Sequence, residues 1–311
     1  MKDIIKEFLD IKKVYTKTKS NKFCKNIYYF YKHLVPVKWW IKKEFNRRVG
    51  YSLNLSNPKT FNEKMQWLKL YDHRDIYTVM ADKMKAKQYI AGLIGMQYVI
   101  PTLSVYENVN DIDLENLPQQ CVLKTTHDSG GVVIVDDKSK INIEKIKNKL
   151  DMHMRYNYYY HAFEWPYKNV EPKIIVEKYL SDGINKGIKD YKVLCFNGEP
   201  RLIEVNSNEM VEGQHHQDFY DVCWNKMPIS QNIYATVSDT VEKKPDNLEI
   251  MINMSKKLAD NIPLLRVDWY DINGKLYVGE LTFYDGAGLT AFDNKEHDEL
   301  LGSWINLNQL Y

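Results

Sequence analysis

Cysteine is scarce in this chain, and what there is lies apart. Cys24, Cys121, Cys195 and Cys223 form neither a CxxC pair nor a ligand cluster with histidine, so they read as reduced, mostly buried thiols. Long apolar runs are also missing. No stretch approaches the ~18 consecutive apolar residues that cross a bilayer, and the opening MKDIIKEFLDIKKVYTK lacks the uncharged core of a signal peptide; cytosolic residence is the expectation. There is no repeat, no low-complexity tract, no Walker GxxxxGK[ST] string, no GxGxxG fingerprint and no GxSxG elbow. Helix-turn-helix spacing, zinc-finger ligands and an RNP-type strand are absent as well, which argues against nucleic acid as a partner.

What is present is ordinary globular material: 311 residues, 44% hydrophobic and 27% charged, enough for about two domains at ~150 residues each. The net charge of +2 conceals an asymmetry. Residues 1–50 hold 14 Lys/Arg against 4 Asp/Glu, and the remainder holds 29 against 37. That basic segment also carries Phe23, Tyr28, Tyr29, Phe30, Tyr31, Trp39, Trp40 and Phe45. It reads in two ways: a helical layer with solvated lysines and core aromatics, or a surface for a polyanion such as an acidic sugar, a diphospholipid or an anionic membrane face.

Residues 1–49 have mixed-polarity helical character. Thr60 followed by Glu63 has capping-box spacing ahead of Met65, Trp67, Leu68 and Leu70. A second helix is predicted from Ile76 to Gly92. After Pro101 short β-rich runs take over: TLSVY, CVLKTT, GVVIVDD, KIIVEKYL, YKVLCFNG, PRLIEVNS, LLRVDWYD and KLYVGELTF. Helices at about Ile143–Met154 and Asn247–Asn261 interrupt them, so the fold class is α+β with substantially antiparallel sheets. The stretch from Val211 to Pro245 carries the least pattern and is expected to hold long loops.

Three stretches carry chemistry. Asp268 in RVDWY and Glu280 in GELTF flank Asn273-Gly274, a strong hairpin turn signal. Strict pairing about that turn sets Asp268 opposite Gly279, one place from Glu280, and a bulge would be needed to bring both carboxylates to one face. Such a pair would suit magnesium, with Arg266 two residues upstream; it would equally suit a solvent-facing edge hairpin. In VLKTTHDSGGVVIV, Lys124 stands before a Ser-Gly-Gly turn that either cradles an anion or simply closes a hairpin. KIIVEKYL ends in Glu177, Lys178, Tyr179 and Leu180 before the flexible SDGINKG; the segment is a structural strand end or a hinge whose backbone borders a purine. His127 could orient phosphate or stabilise its loop, and His215-His216 could bind metal or lie in an exposed loop.

In order and spacing these pieces resemble the ATP-grasp superfamily, and more narrowly the TupA-like ATP-grasp proteins of bacterial capsule and surface-polysaccharide genes. ADK at Ala81–Lys83 followed by AKQYI is similar to the opening helix, VLKTTHDSGG to the lysine strand and phosphate-covering loop, IIVEKYL to the adenine strand, and RVDWYDINGKLYVGELTFYDGAG to the magnesium hairpin. The narrower likeness also takes in GYSLNLSNPKTFNEKMQWLKLYDHR, EWPYKNVEPKIIVEKYL and KDYKVLCFNGEP, from about Gly50 to the end. Composition sets off a basic, mainly helical region over 1–75, and the resemblance implies two subdomains, 76–180 and 181–311, that grip ATP between antiparallel sheets. Lys83 and Lys124 would then contact phosphates, with Ser129, Gly130 and Gly131 closing over them. Glu177, Lys178 and Leu180 would border adenine, and Asp190 is the best match for the ribose acid. Asp268 and Glu280 would hold Mg2+, with Thr282 where the superfamily usually has Asn, and Arg266 would face the transferred phosphate.

The resemblance implies an ATP-dependent carboxylate–amine ligase working through an acylphosphate. Its family context suggests a uronic acid of a surface glycan joined to an amino acid or small amine, in the cytoplasm or at the inner membrane face. On that reading, deleting residues 1–49 is expected to raise the glycan KM while leaving ATP binding. Two rivals stand beside it. A capsule glycosyltransferase would need a DxD, for which only Asp111–Asp113 offers the letters, in an apparent loop. A non-catalytic nucleotide-binding scaffold is prompted by Thr282 and the basic N-terminus.

Overall fold

The computed structural model describes residues 32–183, 188–207, 215–231 and 236–310. Most of the basic N-terminal segment, with Cys24, Phe23 and Tyr28–Tyr31, lies outside the described residues, as do 184–187 of SDGINKG and 211–214 and 232–235 of the loop-rich stretch. The helices are α1 (Val37–Val49), α2 (Phe61–Tyr71), α3 (Asp75–Ala81), α4 (Lys85–Ile94), α5 (Ile143–Met154), α6 (Tyr159–Ala162), α7 (Leu248–Leu258) and α8 (Lys295–Ser303). The strands are β1 (Thr102–Tyr106), β2 (Cys121–Thr125), β3 (Val132–Val135), β4 (Ile174–Lys178), β5 (Asp190–Phe196), β6 (Glu199–Ser207), β7 (His216–Asp221), β8 (Lys226–Met227), β9 (Leu264–Ile272) and β10 (Lys275–Thr282).

The capping box at Thr60 forms: its hydroxyl accepts from the Glu63 amide at 3.1 Å, and the Glu63 carboxylate accepts from the Thr60 amide at 3.2 Å. The single helix expected over Ile76–Gly92 is instead two, α3 and α4. Asp82 breaks it, because its carboxylate accepts from the Met84 and Lys85 amides at 2.9 and 3.2 Å and so caps a new start. The Lys83 amide leaves the helix to donate to the Thr126 carbonyl at 3.0 Å. That departure ties Lys83 to the end of β2.

Two antiparallel sheets make an α+β fold. One has the order β1-β4-β2-β3 and packs on α5 through Leu123, Val176, Ile146 and Leu150. The other runs β10-β9-β5-β6-β7-β8, and its Trp269 lies in the main core, where the indole donates to Ser255 of α7 at 2.8 Å. β7 and β8 fall in the stretch expected to be loops. Gln217 and Asp218 of β7 are buried polar residues, which erases the apolar alternation that announces a strand.

The described part of the basic region is a core layer. Trp40, Ile41, Phe45 and Val49 of α1 pack with Ala162, Phe163 and Leu289. Lys32 is buried with them, its ammonium 4.1 Å from the Trp40 ring centroid. Deleting residues 1–49 would therefore open this cluster, and it cannot serve as a clean test of a binding surface. No helix among the described residues is long and apolar enough to cross a membrane.

Candidate active site

The β9–β10 hairpin turns at Asn273 and Gly274, both with positive φ (50° and 81°), as a two-residue turn requires. Strict pairing holds as far as Val278 opposite Trp269, then slips by one at Gly279, so that Glu280 stands opposite Asp268. The bulge puts both carboxylates on one face. A Cβ on Gly279 would come within 2.7 Å of the Tyr270 ring, so any larger residue there has to displace that ring.

Arg266 sits among these acids. Its Nε and Nη2 donate to the two oxygens of Asp268 at 2.7 Å each, Nη2 lies 3.4 Å from Glu280, and Nη1 donates to Asp285. The guanidinium expected to face phosphate is thus engaged by three carboxylates. The Thr282 hydroxyl donates to Glu280 at 3.0 Å. Burial pushes the Asp268 carboxyl up to about 7 against the pull of Arg266, and Asp190 and Glu280 add to the rise. Burial also works to raise Glu280, but Lys83, Arg266 and Lys124 outweigh it and hold that carboxyl below its usual range.

Lys83 and Lys124 reach this field from the first sheet. Glu177 of β4 is 4% exposed and bridges Lys87 at 2.6 Å and Lys124 at 2.7 Å. Lys83 is held at its other end, its ammonium donating to the Asp128 carbonyl. Burial lowers Lys83, with Glu280 and Asp128 opposing. The loop after β2 is pinned by Asp128, whose carboxylate receives the Thr125 hydroxyl and contacts His153 Nδ1. A Cβ on Gly131 would lie 1.8 Å from the Thr125 hydroxyl, so only glycine fits. Ser129 and Gly130 stay exposed at the tip. His127 is buried with Nε2 3.2 Å from the carbonyls of His153 and Tyr156, the loop-stabilising alternative.

The remaining expected residues lie at the edges. Lys178 is exposed on the opposite face of β4 from Glu177; with Tyr179 it borders an open cleft of about 700 Å3 that also takes in Gln119, Gln120 and Asp136. Its amide donates to the Pro101 carbonyl at 3.0 Å. Leu180 follows, half-buried. Asp190 starts β5, paired with Tyr270 of β9, and accepts from the Lys192 ammonium. His215 Nε2 meets Asn206 Oδ1 at 3.1 Å and His216 Nδ1 meets the Thr236 hydroxyl at 2.9 Å. Asp111–Asp113 is not at a strand end: Asp111 closes a short 3-10 turn and Asp113 caps the Glu115 amide at 3.0 Å. Cys121 and Cys195 are buried and Cys223 is exposed.

Sequence reasoning passed over Lys87, Lys192, Glu204, Lys69 and Glu164. Lys87 falls four residues after Lys83 on a continuous helical pattern, a spacing that could have flagged it. Glu164 and Lys69 are buried side chains beside the hairpin end; burial raises the Glu164 carboxyl to about 7 and lowers the Lys69 ammonium to about 8.

Among the described residues, no group of three or more His, Cys, Asp or Glu is arranged to hold a metal by itself. Asp268 and Glu280 nevertheless suit magnesium, which takes one or two protein carboxylates and completes its shell with water and substrate phosphates. The pressure on Asp268 from neighbouring acids is what an added cation would relieve.

Solved structures of similar shape include a D-alanine–D-alanine ligase from Bacillus anthracis complexed with ATP, 16% identical over 66% of this chain and 55% of that one, with a TM-score of 0.40. A Helicobacter pylori D-alanine–D-alanine ligase is 16% identical over 79% and 69%, TM-score 0.41. The ATP-grasp ligase PsnB with minimal precursor, Mg and ADP is 11% identical over 80% and 66%, TM-score 0.40. The chain thus spans about half the length of the first of these. No curated protein matches it. Residues 63–306, more than half of the chain, match the family model for TupA-like ATPgrasp proteins, and the chain belongs to that family.

Proposed function

We propose that this protein is an ATP-dependent carboxylate–amine ligase, forming an amide between a uronic acid of a surface polysaccharide or its precursor and an amino acid or small amine. The observation that carries the reading is electrostatic. Lys83 and Lys87 line one cavity with Gly279 and Glu280, Glu177 of the first sheet ties Lys124 to that same Lys87, and Glu280 stands opposite Asp268 on the second sheet. Cations and a paired acid nest so placed suit the terminal phosphates of a nucleotide.

In this reading residues 76–180 and 181–311 are the two jaws, preceded by the basic, mainly helical region over 1–75. Glu177, the Lys178 carbonyl and Leu180 border the adenine, and Asp190 receives the ribose. Ser129 and Gly130 at the exposed loop tip, with Gly131 at its root, close over the phosphates. Asp268, Glu280 and the Thr282 hydroxyl would hold Mg2+, which when bound supplies a Lewis acid for phosphoryl oxygens.

A carboxylate resists attack because its charge repels nucleophiles and oxide leaves poorly. Transfer of the terminal phosphoryl of ATP to one carboxylate oxygen gives an acylphosphate and ADP. Attack of an amine on its carbonyl carbon then releases phosphate and forms the amide. Lys83, Lys124 and Arg266 disperse the charge of the moving phosphoryl group, and the glycine loop excludes water that would hydrolyse the acylphosphate. No side-chain nucleophile takes part.

The test is ADP release by the full chain with glucuronate or galacturonate, using hydroxylamine to trap the acylphosphate as a hydroxamate. Acid-dependent hydroxamate is the expected result. Transfer from a UDP-sugar without ATP, or magnesium-dependent ATP binding with no ADP formed across acids and amines, would replace the reading with a glycosyltransferase or a scaffold.

A further inference from the structure

The face of the second sheet that carries Asp268 continues beyond the acid pair. Glu280 pairs with Asp268, Asp268 with Lys192, and Lys192 with Glu204, so one cross-strand row of charged side chains crosses β10, β9, β5 and β6. Cross-strand partners share a face. The next row holds Tyr270, Asp190, Asn206 and Gln217. The inner part of both rows belongs to the nucleotide and metal reading; Glu204, Asn206 and Gln217 do not.

Glu204 is 3% exposed and its carboxylate is used asymmetrically. Oε1 accepts from Asn206 Nδ2 at 2.7 Å and Gln217 Nε2 at 3.0 Å. Oε2 is buried and has no hydrogen-bond partner among the described residues. Burial would raise this carboxyl, but Lys192, Arg266 and the two amides hold it below its usual range. The nearby Lys192 ammonium donates to Asp190 instead. A buried carboxylate oxygen without a donor is costly, and in a native fold it marks a place where a donor arrives.

The groups around it select the ligand. Asn206 and Gln217 turn their N–H groups towards Glu204, and Asn206 Oδ1 faces His215 Nε2 at 3.1 Å, so the free capacity of this corner is carboxylate oxygen. A phosphate or a second carboxylate would be repelled. A primary ammonium supplies both the positive charge and the N–H donors.

We propose that Glu204, oriented by Asn206 and Gln217, is the subsite for the ammonium group of the amine substrate. This rests on the ligase reading for the word substrate, while the site itself rests on the geometry of the row. Two strand spacings, roughly 10 Å, separate Glu204 from Asp268.

The test uses the full chain and a fixed panel of glycine, serine, lysine, glutamate and ethanolamine, with Mg-ADP present. Ligand-observed NMR reads binding to the wild type and to Glu204→Gln; it needs no turnover and stands even if no hydroxamate forms. At least one amine is expected to bind the wild type and to lose at least tenfold in affinity in Glu204→Gln, while affinity for Mg-ADP moves less than twofold. Gln217→Glu, which adds an acceptor and removes a donor, is expected to alter the preference among the amines. Equal amine affinity in wild type and Glu204→Gln, as a resident water at Oε2 would give, overturns the proposal. So does a panel in which no amine binds, or a parallel loss of Mg-ADP, which would assign Glu204 to the nucleotide. Failure of hydroxamate formation with E204Q-sensitive amine binding intact would remove the ligase reading and leave the subsite.

Discussion

Glu280 faces Asp268 only because Gly279 bulges out of the hairpin beneath the Tyr270 ring. A methyl group at Gly279 has to displace that ring or flatten the bulge. Gly279→Ala is expected to lower stability by about 1–3 kcal/mol, as overpacking does. It should also weaken magnesium-dependent nucleotide binding, because a flattened bulge turns one carboxylate to the other face. Urea unfolding and ATP titration with and without Mg2+ check the two halves separately.

The two acids of that pair are expected to fail differently. Asp268 is 4% exposed and holds Arg266 through both oxygens, so Asp268→Asn leaves a buried guanidinium short of its main partner, a loss of about 3–5 kcal/mol. The Glu280 side chain is 42% exposed and only 3.4 Å from Arg266. Glu280→Gln should fold nearly as well as the wild type yet lose most ADP formation. Near-normal turnover in that variant would remove Glu280 from the metal reading.

Glu177 gives a pH-dependent test. Burial pushes its carboxyl up, but Lys124 and Lys87 prevail and hold it below the ordinary value. A group depressed in the folded state stabilises the fold fully above its unfolded value, about 4.3, and loses that contribution as pH falls through the folded one. Glu177→Gln should therefore cost about 3–5 kcal/mol at pH 7 by leaving two lysines uncompensated. The gap between variant and wild type should stay level down to about pH 5 and shrink below pH 4. Urea midpoints across that range measure it; a gap that widens on acidification would contradict the assignment.

Trp40 tests the N-terminal layer. It is 5% exposed and meets Phe163 edge-on with ring centroids 5.2 Å apart. Trp40→Ala is expected to cost about 3–5 kcal/mol, the range for removing a buried aromatic. Replacement of exposed Lys42 on the same helix should change stability by less than about 0.5 kcal/mol. Thermal unfolding distinguishes this core role from a purely surface one.

Local chemistry was legible in the chain itself. The capping box at Thr60, the turn at Asn273-Gly274 and the β-runs all depend on neighbours within a few residues, and each formed where its residues stand. The acid pair was legible as a possibility: pairing about the turn brought Asp268 within one place of Glu280, and the bulge that completes the match follows from the close approach of Tyr270 to Gly279. The split of the helix at Asp82 was hidden, because a carboxylate capping two amides competes with a sound helical pattern and prevails only with Lys83 drawn to Thr126.

Tertiary structure alone decided which charges meet. Lys87 and Lys124 converge on Glu177 from α4 and β2, and Glu204 joins the Asp268 row only through the pairing of β5 with both β6 and β9. Hydrophobic alternation announces the face a sheet buries; it carries no information about which polar side chains line the other face, since those neighbours come from strands far apart in the chain. Residue order sets the elements, and long-range strand pairing sets the electrostatic field between them.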